Sequence, residues 1–181
     1  RIRSAFIDKG LRFNNAFANT PLCGPSRSNI LAGQFSHNTG VIANAGNDAG
    51  YPAWASRGYD NANIGPWLKA AGYKTGIFGK YENDYPNTGS PGYSETFVPP
   101  GWDDWRVVMS DRTATNNLYT LNENGVLKIY TGDTGGYQAD ILTERMLSFI
   151  KAVKANGTQP FFAFLSLGAP HTPTEPAARH L

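Results

Sequence analysis

The stretch Phe161-Phe162-Ala163-Phe164-Leu165-Ser166-Leu167 constrains the fold of this chain more than any other. Successive side chains of a strand point to opposite faces, so an apolar run of this length needs cover on both sides. That is the condition of a central strand in a parallel sheet with helices above and below. The preceding segment supplies one such helix. From Ala139 to Ala155, Leu142, Met146, Phe149, Ile150 and Val153 fall on one face at helical spacing. A second buried strand is predicted at Lys74-Thr75-Gly76-Ile77-Phe78, ending at Gly79-Lys80. It follows a helix from Ile64 to Ala71, with Pro66 in the first turn and Gly72 past the end. Val107-Val108-Met109 reads as a further strand. Leu118 to Leu121 and Val126 to Tyr130 flank Asn122-Glu123-Asn124-Gly125, a hairpin signal.

Less pattern is visible elsewhere. Residues 1–10 are expected to form a helix leading into a short strand, Leu11-Arg12-Phe13. The Gly-, Asn- and Ser-rich residues 34–60 and the Pro/Gly/Asn-rich residues 82–101 read as long surface loops. The alternation of helices and strands predicts an α/β chain with a mainly parallel sheet flanked by helices. Ligands of such sheets bind beyond the carboxyl ends of the strands. Lys80 sits at one such end, and His171, in Gly168-Ala169-Pro170-His171-Thr172-Pro173, sits at another.

The 181 residues are enough for about one domain. With 40% hydrophobic and 17% charged residues, the composition is that of an ordinary globular protein. Net charge is only +2 and no Lys/Arg run occurs, which argues against a nucleic-acid partner. No apolar run is long enough to span a membrane. The opening Arg1-Ile2-Arg3-Ser4-Ala5-Phe6 reads as the middle of a structure, and Arg179-His180-Leu181 follows a loop directly. The chain is therefore expected to be part of a longer protein, incomplete at both ends. One glycosylation sequon, Asn156-Gly157-Thr158, is present.

Cys23 is the only cysteine, so it serves packing or chemistry rather than an internal disulfide. Pro25 suits the first position of a helix and Gly33 a helix stop, which predicts a short helix from Ser26 to Ala32. Cys23 then lies just before a helix N-terminus, where unpaired N–H groups and the dipole favour negative charge. Arg27, four residues on, can fold back over the same place. A buried thiol beside an ordinary helix cap is the competing reading.

Cys23-Gly24-Pro25-Ser26-Arg27, continued as Ser28-Asn29-Ile30-Leu31-Ala32-Gly33, resembles the signature of the formylglycine-dependent type I sulfatases. Gly72-Tyr73-Lys74-Thr75-Gly76-Ile77-Phe78-Gly79-Lys80-Tyr81 is similar to that family's second motif. Phe78 departs from the usual small or β-branched residue, and Glu82 stands where many members have histidine. Gln34-Phe35-Ser36-His37-Asn38-Thr39, Tyr81-Glu82-Asn83, Phe97-Val98-Pro99-Pro100-Gly101-Trp102 and Ala169-Pro170-His171-Thr172-Pro173 look like the glucosamine-6-sulfatase and arylsulfatase branch.

The resemblance implies an alkaline-phosphatase-like fold, with residues 1–181 forming part of a single catalytic domain. It implies hydrolysis of sulfate esters of a sugar or aryl alcohol. Cys23 would be oxidised to Cα-formylglycine by a formylglycine-generating enzyme, and its hydrate would attack sulfur and later release sulfate. The catalytic set would be Cys23, Arg27, Lys80 and His171. Lys80 would contact the sulfate, and His171 would protonate the departing alcohol or hold the sulfate. Asn83 and His37 are candidate substrate-binding residues, with a structural loop role as the competing reading for His37. A calcium ion is implied, held by the Cys23-derived oxygen and by ligands outside this chain. Asp103-Asp104 is not a substitute, since it lies in the wrong order and between two tryptophans. The resemblance further implies a secreted, periplasmic or lysosomal protein. Two other readings stay open: a phosphoester or phosphonate monoester hydrolase using the same formylglycine, and an inactive fragment.

Overall fold

In the computed structural model the described residues are 3–46, 48–86, 93–110, 113, 115–132 and 136–181. One sheet organises them. Strand β1 (Lys74–Gly79) runs parallel to β2 (Asp104–Val108) on one side and to β5 (Phe161–Ser166) on the other. Strands β3 (Tyr119–Glu123) and β4 (Val126–Tyr130) extend the sheet beyond β2 as an antiparallel hairpin, giving the order β4-β3-β2-β1-β5. The expected α/β sheet with flanking helices is thus present, parallel in one half and antiparallel in the other. Asn124 and Gly125 join the hairpin with φ of 53° and 89°. Positive φ at both central residues is what a two-residue hairpin turn matched to strand twist requires, and an Asn-Gly pair adopts it at little cost.

The two faces of the sheet carry two cores. Helix α5 (Gln138–Ala155) covers one face, where Leu142, Phe149 and Val153 pack with Phe78, Val108 and Leu121, and Met146 and Ile150 lie at the margin. On the other face, α1 (Cys23–Ala32), α2 (Ser36–Thr39), α3 (Gly50–Ser56) and α4 (Ile64–Ala70) surround an aromatic core containing Tyr51, Trp54, Tyr81, Tyr85 and Trp105. Alternation along β5 sends Phe161, Ala163 and Leu165 to the α5 side and Phe162 and Phe164 to the aromatic side. This two-sided use accounts for the apolar run in the sequence.

Several expectations change. Strand β5 is not central among the described residues. It has a partner on one side only, and every residue of it is half-buried. Leu11-Arg12-Phe13 forms no strand and is exposed; one π-helical turn, Arg3–Ile7, precedes it. Residues 34–60 are not merely a surface loop. They contain α2 and α3, and α3 inserts Tyr51 and Trp54, three positions apart on one helix face, as fully buried rings. Glycine and asparagine density hid this helix, because seven residues give periodicity too little length to register. Of residues 82–101, those described form neither strand nor helix, and 87–92 lie outside the described residues.

A Trp54→Ala substitution is accordingly expected to destabilise the protein by about 3–5 kcal/mol, the usual cost of emptying a buried aromatic site. Urea denaturation of variant and parent checks this, since a surface-loop tryptophan would leave the midpoint unmoved.

Candidate active site

Helix α1 begins three residues before the expected Ser26. Cys23 is its first residue and Pro25 its third, so the cysteine is within the first turn rather than before it. Leu22, the capping residue, is extended and offers no side-chain acceptor. The orphan N–H of Gly24 instead donates to Asn44 Oδ1 at 2.8 Å, an acceptor from the loop between α2 and α3. Gly33 ends the helix in the left-handed region (φ 64°), its N–H returning to the Asn29 carbonyl. The Cys23 thiol is free and half-buried.

Arg27 lies one turn further along α1 and is almost fully buried. Its Nε donates to the Tyr81 carbonyl, and its terminal nitrogen donates to Asn83 Oδ1 at 2.6 Å. One guanidinium thus ties helix α1, which carries Cys23, to the loop after β1. Burial lowers the Arg27 pKa, and the nearby Glu82 and Cys23 oppose that shift.

The end of β1 is fixed by a close approach that only glycine permits. Gly79 has φ 116°, and a Cβ there would stand 1.9 Å from the Ser166 carbonyl oxygen. The next N–H, that of Lys80, donates to the same carbonyl at 2.7 Å. Lys80 is therefore seated against the end of β5, from which the His171 loop departs. Lys80, Asn83 and His171 line one cavity of about 300 Å³. The Lys80 pKa is lowered, first by burial and then by the charge of Arg27, while Cys23 opposes. His171 is exposed, its N–H donates to the Gly168 carbonyl at 2.9 Å, and its Nδ1 lies 2.7 Å from the Thr172 carbonyl. A carbonyl only accepts, so Nδ1 carries a proton and Nε2 is the ring atom available to a substrate.

The remaining candidates are placed differently. Asn83 joins the cavity to Arg27. His37 stands on α2, exposed and stacked on Phe35 with ring centroids 5.8 Å apart, and is not among the residues lining that cavity. Asp103 is held by Lys69 and Lys74, each at 3.3 Å, and Asp104 by Arg106 at 2.6 Å, so both are occupied in ion pairs. Among the described residues no group of three or more His, Cys, Asp or Glu side chains converges as a metal site.

Two neighbours of residue 23 escaped the sequence reading. Asn44, the external cap of α1, carried no signal, because nothing in its local sequence marks a partner twenty residues away. Glu82 was noted only as a departure from histidine. It is 2% exposed, and neither carboxyl oxygen has a hydrogen-bond partner among the described residues. Its Oε2 lies 3.5 Å from where a Gly24 Cβ would be. Burial pushes its pKa up to about 8 against the opposing charge of Arg27.

Lys80, Asn83 and His171 meet at one cavity, and Arg27 reaches its edge through Asn83. Cys23 and Arg27 are not themselves among the residues lining that cavity. A model of the sulfatase family matches residues 2–180. The chain belongs to the sulfatase family. Over 172 residues it is 36% identical to a putative extracellular sulfatase of Caenorhabditis elegans, covering 94% of this chain and 23% of that protein. An arylsulfatase of Volvox carteri is 36% identical over 167 residues, 92% of this chain and 24% of its own length. N-acetylglucosamine-6-sulfatase of Bos taurus is 32% identical over 178 residues, 96% of this chain and 30% of its own.

Among solved structures, one determined in complex with its substrate D-glucosamine-2-N,6-O-disulfate superposes with a TM-score of 0.66 at 28% identity, over 94% of this chain and 29% of that one. A putative sulfatase from Bacteroides fragilis shares the fold at a TM-score of 0.63 and 21% identity, covering 91% of this chain and 37% of the other. The fold is that of the alkaline-phosphatase-like sulfatases. The chain spans only 23–30% of the length of the three curated relatives.

Glu82 makes a pH prediction for this sulfatase. Its ordinary pKa of 4.5 rises to about 8 in the folded state. Between those values the unfolded chain has lost the proton and the folded chain keeps it, so stability falls as pH rises through that window. Glu82→Gln is expected to flatten the fall, making the variant more stable than the parent at pH 8 by up to a few kcal/mol and little different near pH 4.5. Denaturation midpoints at the two pH values measure it.

Proposed function

We propose that residues 1–181 are part of a sulfatase catalytic domain that hydrolyses sulfate esters of a sugar or aryl alcohol, with Cys23 converted to formylglycine by a formylglycine-generating enzyme. The observation that carries this reading is the Arg27–Asn83 hydrogen bond, which joins the signature helix bearing Cys23 to a residue of the cavity lined by Lys80 and His171. Formylglycine at position 23 would supply a hydrated aldehyde as the nucleophile, splitting one difficult displacement into two easier steps.

The chain's own residues supply the rest. Arg27 holds the side chain at position 23 and counters charge that develops there. Lys80 acts as a point charge on a sulfate oxygen. His171 Nε2, when protonated, delivers a proton to the departing alcohol, a contribution of roughly 10²–10⁴ in rate. Asn83, pinned by Arg27, borders the same cavity and positions the ester.

Calcium is a poorer match to what is present. Hard cations take about six to eight oxygen ligands, and the nearest candidate pair, Asp103 and Asp104, is committed to lysines and arginine. The described residues do not make a calcium site by themselves. A secreted, periplasmic or lysosomal location fits relatives that are named extracellular sulfatases. No helix among the described residues is long and apolar enough to cross a membrane.

In full-length protein co-expressed with the modifying enzyme, the tryptic peptide containing Cys23 should be lighter by the mass difference between CH₂SH and CHO. Cys23→Ala should lower kcat by at least about a thousandfold, as removal of a nucleophile does elsewhere. Lys80→Ala and His171→Ala should each cost about 10²–10⁴ in rate. Paired sulfate and phosphate esters of one alcohol give the substrate class. Faster phosphate turnover, or full activity with an unmodified thiol, defeats the proposal.

A further inference from the structure

Asp84 also lines the cavity shared by Lys80, Asn83 and His171, and the reaction outlined above makes no use of it. Its backbone lies in the left-handed region, φ 62°. Among the described residues one other non-glycine residue does this, Asn124, where the β3–β4 turn requires it. No hairpin requires it at Asp84. The residue stands between Asn83, whose side chain is drawn to Arg27, and Tyr85, whose ring is buried in the aromatic core. Strained backbone of this kind persists where its surroundings over-determine it, often beside a ligand. No hydrogen bond or ion pair to the Asp84 carboxylate is present among the described residues, so its acceptor capacity is unspent.

The rest of the wall has a consistent chemistry. Ser110, Thr113, Thr115, Asn116 and Gln138 bring hydroxyls and amides to the wall beside Val108 and Pro173, and among the described residues no Phe, Tyr or Trp ring lines the cavity. Such a wall suits an alcohol rich in hydroxyls better than a flat aryl group. A carboxylate is an acceptor only, with two oxygens and about four lone-pair positions. Two neighbouring hydroxyls can donate to it together, and an aryl ring offers it nothing. A second sulfate or any other anion at the same place meets like charge.

We propose that Asp84 is a specificity-determining residue of this site, accepting hydrogen bonds from hydroxyls that flank the sulfate ester of a sugar and rejecting substrates with a second anionic group beside it. This assignment rests on the sulfatase reading.

The test compares three substrates in the full-length, formylglycine-bearing protein: an N-acetylhexosamine 6-sulfate, the corresponding sugar carrying an additional N-sulfate, and 4-nitrophenyl sulfate. Asp84→Asn keeps the shape and readily adopts left-handed backbone, so the variant should fold; its unchanged Tm checks that. The expected result is a drop of about tenfold in kcat/KM for the monosulfated sugar, mainly through KM. The doubly sulfated sugar should hold or improve, and the aryl sulfate should not change. Asp84→Lys should reverse the order of the two sugars. Equal losses on all three substrates, or an unchanged ratio between the two sugars, would overturn the role of Asp84 while leaving the sulfatase reading intact. A parent protein that cleaves none of the three defeats both.

Discussion

The buried guanidinium of Arg27 is the contact on which the site depends. From the same helix as Cys23 it reaches both the Tyr81 carbonyl and the Asn83 amide oxygen. Taking a charge out of water is costly unless its donors are matched, and here the donors are spent on groups whose positions matter for chemistry. The planar fork reaches two points of the 81–83 loop at once, which the single point charge of a lysine would not do. The orientation of the signature helix and the path of the chain after β1 are therefore one structural fact rather than two.

That loop is held from its other side by an aromatic floor. The Asp60 carboxylate, 3% exposed, accepts from Tyr51 at 2.8 Å and from Tyr81 at 3.0 Å, and Trp54 Nε1 donates to the Tyr81 hydroxyl at 2.6 Å. Burial raises the Asp60 pKa, and these donors oppose the shift. The backbone N–H of Tyr51 donates to the Asn83 carbonyl at 2.7 Å. Helix α3 thus supports Lys80, Asn83 and Asp84 from below. A fully satisfied polar network in a dense aromatic setting fixes geometry more tightly than apolar contact alone, because each hydrogen bond has a direction. This gives a physical reason for the seven-residue helix within a stretch whose composition reads as loop.

Legibility in the sequence followed the range of each interaction. Helix α5, strands β1, β4 and β5 and the Asn124-Gly125 turn announce themselves because their determinants are local: periodicity, β-branched and aromatic runs, and turn residues within a few positions. Lys80 and His171 could be assigned to strand ends for the same reason. The helix expected from Ser26 starts three residues earlier, at Cys23, because Pro25 tolerates the third helical position as well as the first, the whole first turn lacking intrahelical acceptors. Asn44, Tyr51, Trp54 and Asp60 were missed because each acts across the fold on a partner that no local window contains. Glu82 was legible as an oddity, but its meaning lies in its burial against α1.

The electrostatics of the site follow from this packing. Burial lowers the pKa of both Arg27 and Lys80, and the charge of Arg27 lowers that of Lys80 further. The buried carboxyl nearest to Arg27, Glu82, is held neutral up to about pH 8 and so contributes no compensating charge below it. Hydrophobic packing would not tolerate two such cations side by side, and their proximity costs more as water is excluded. Under the proposed function, an ester anion held by Lys80 would offset that repulsion, and its binding free energy would include the relief.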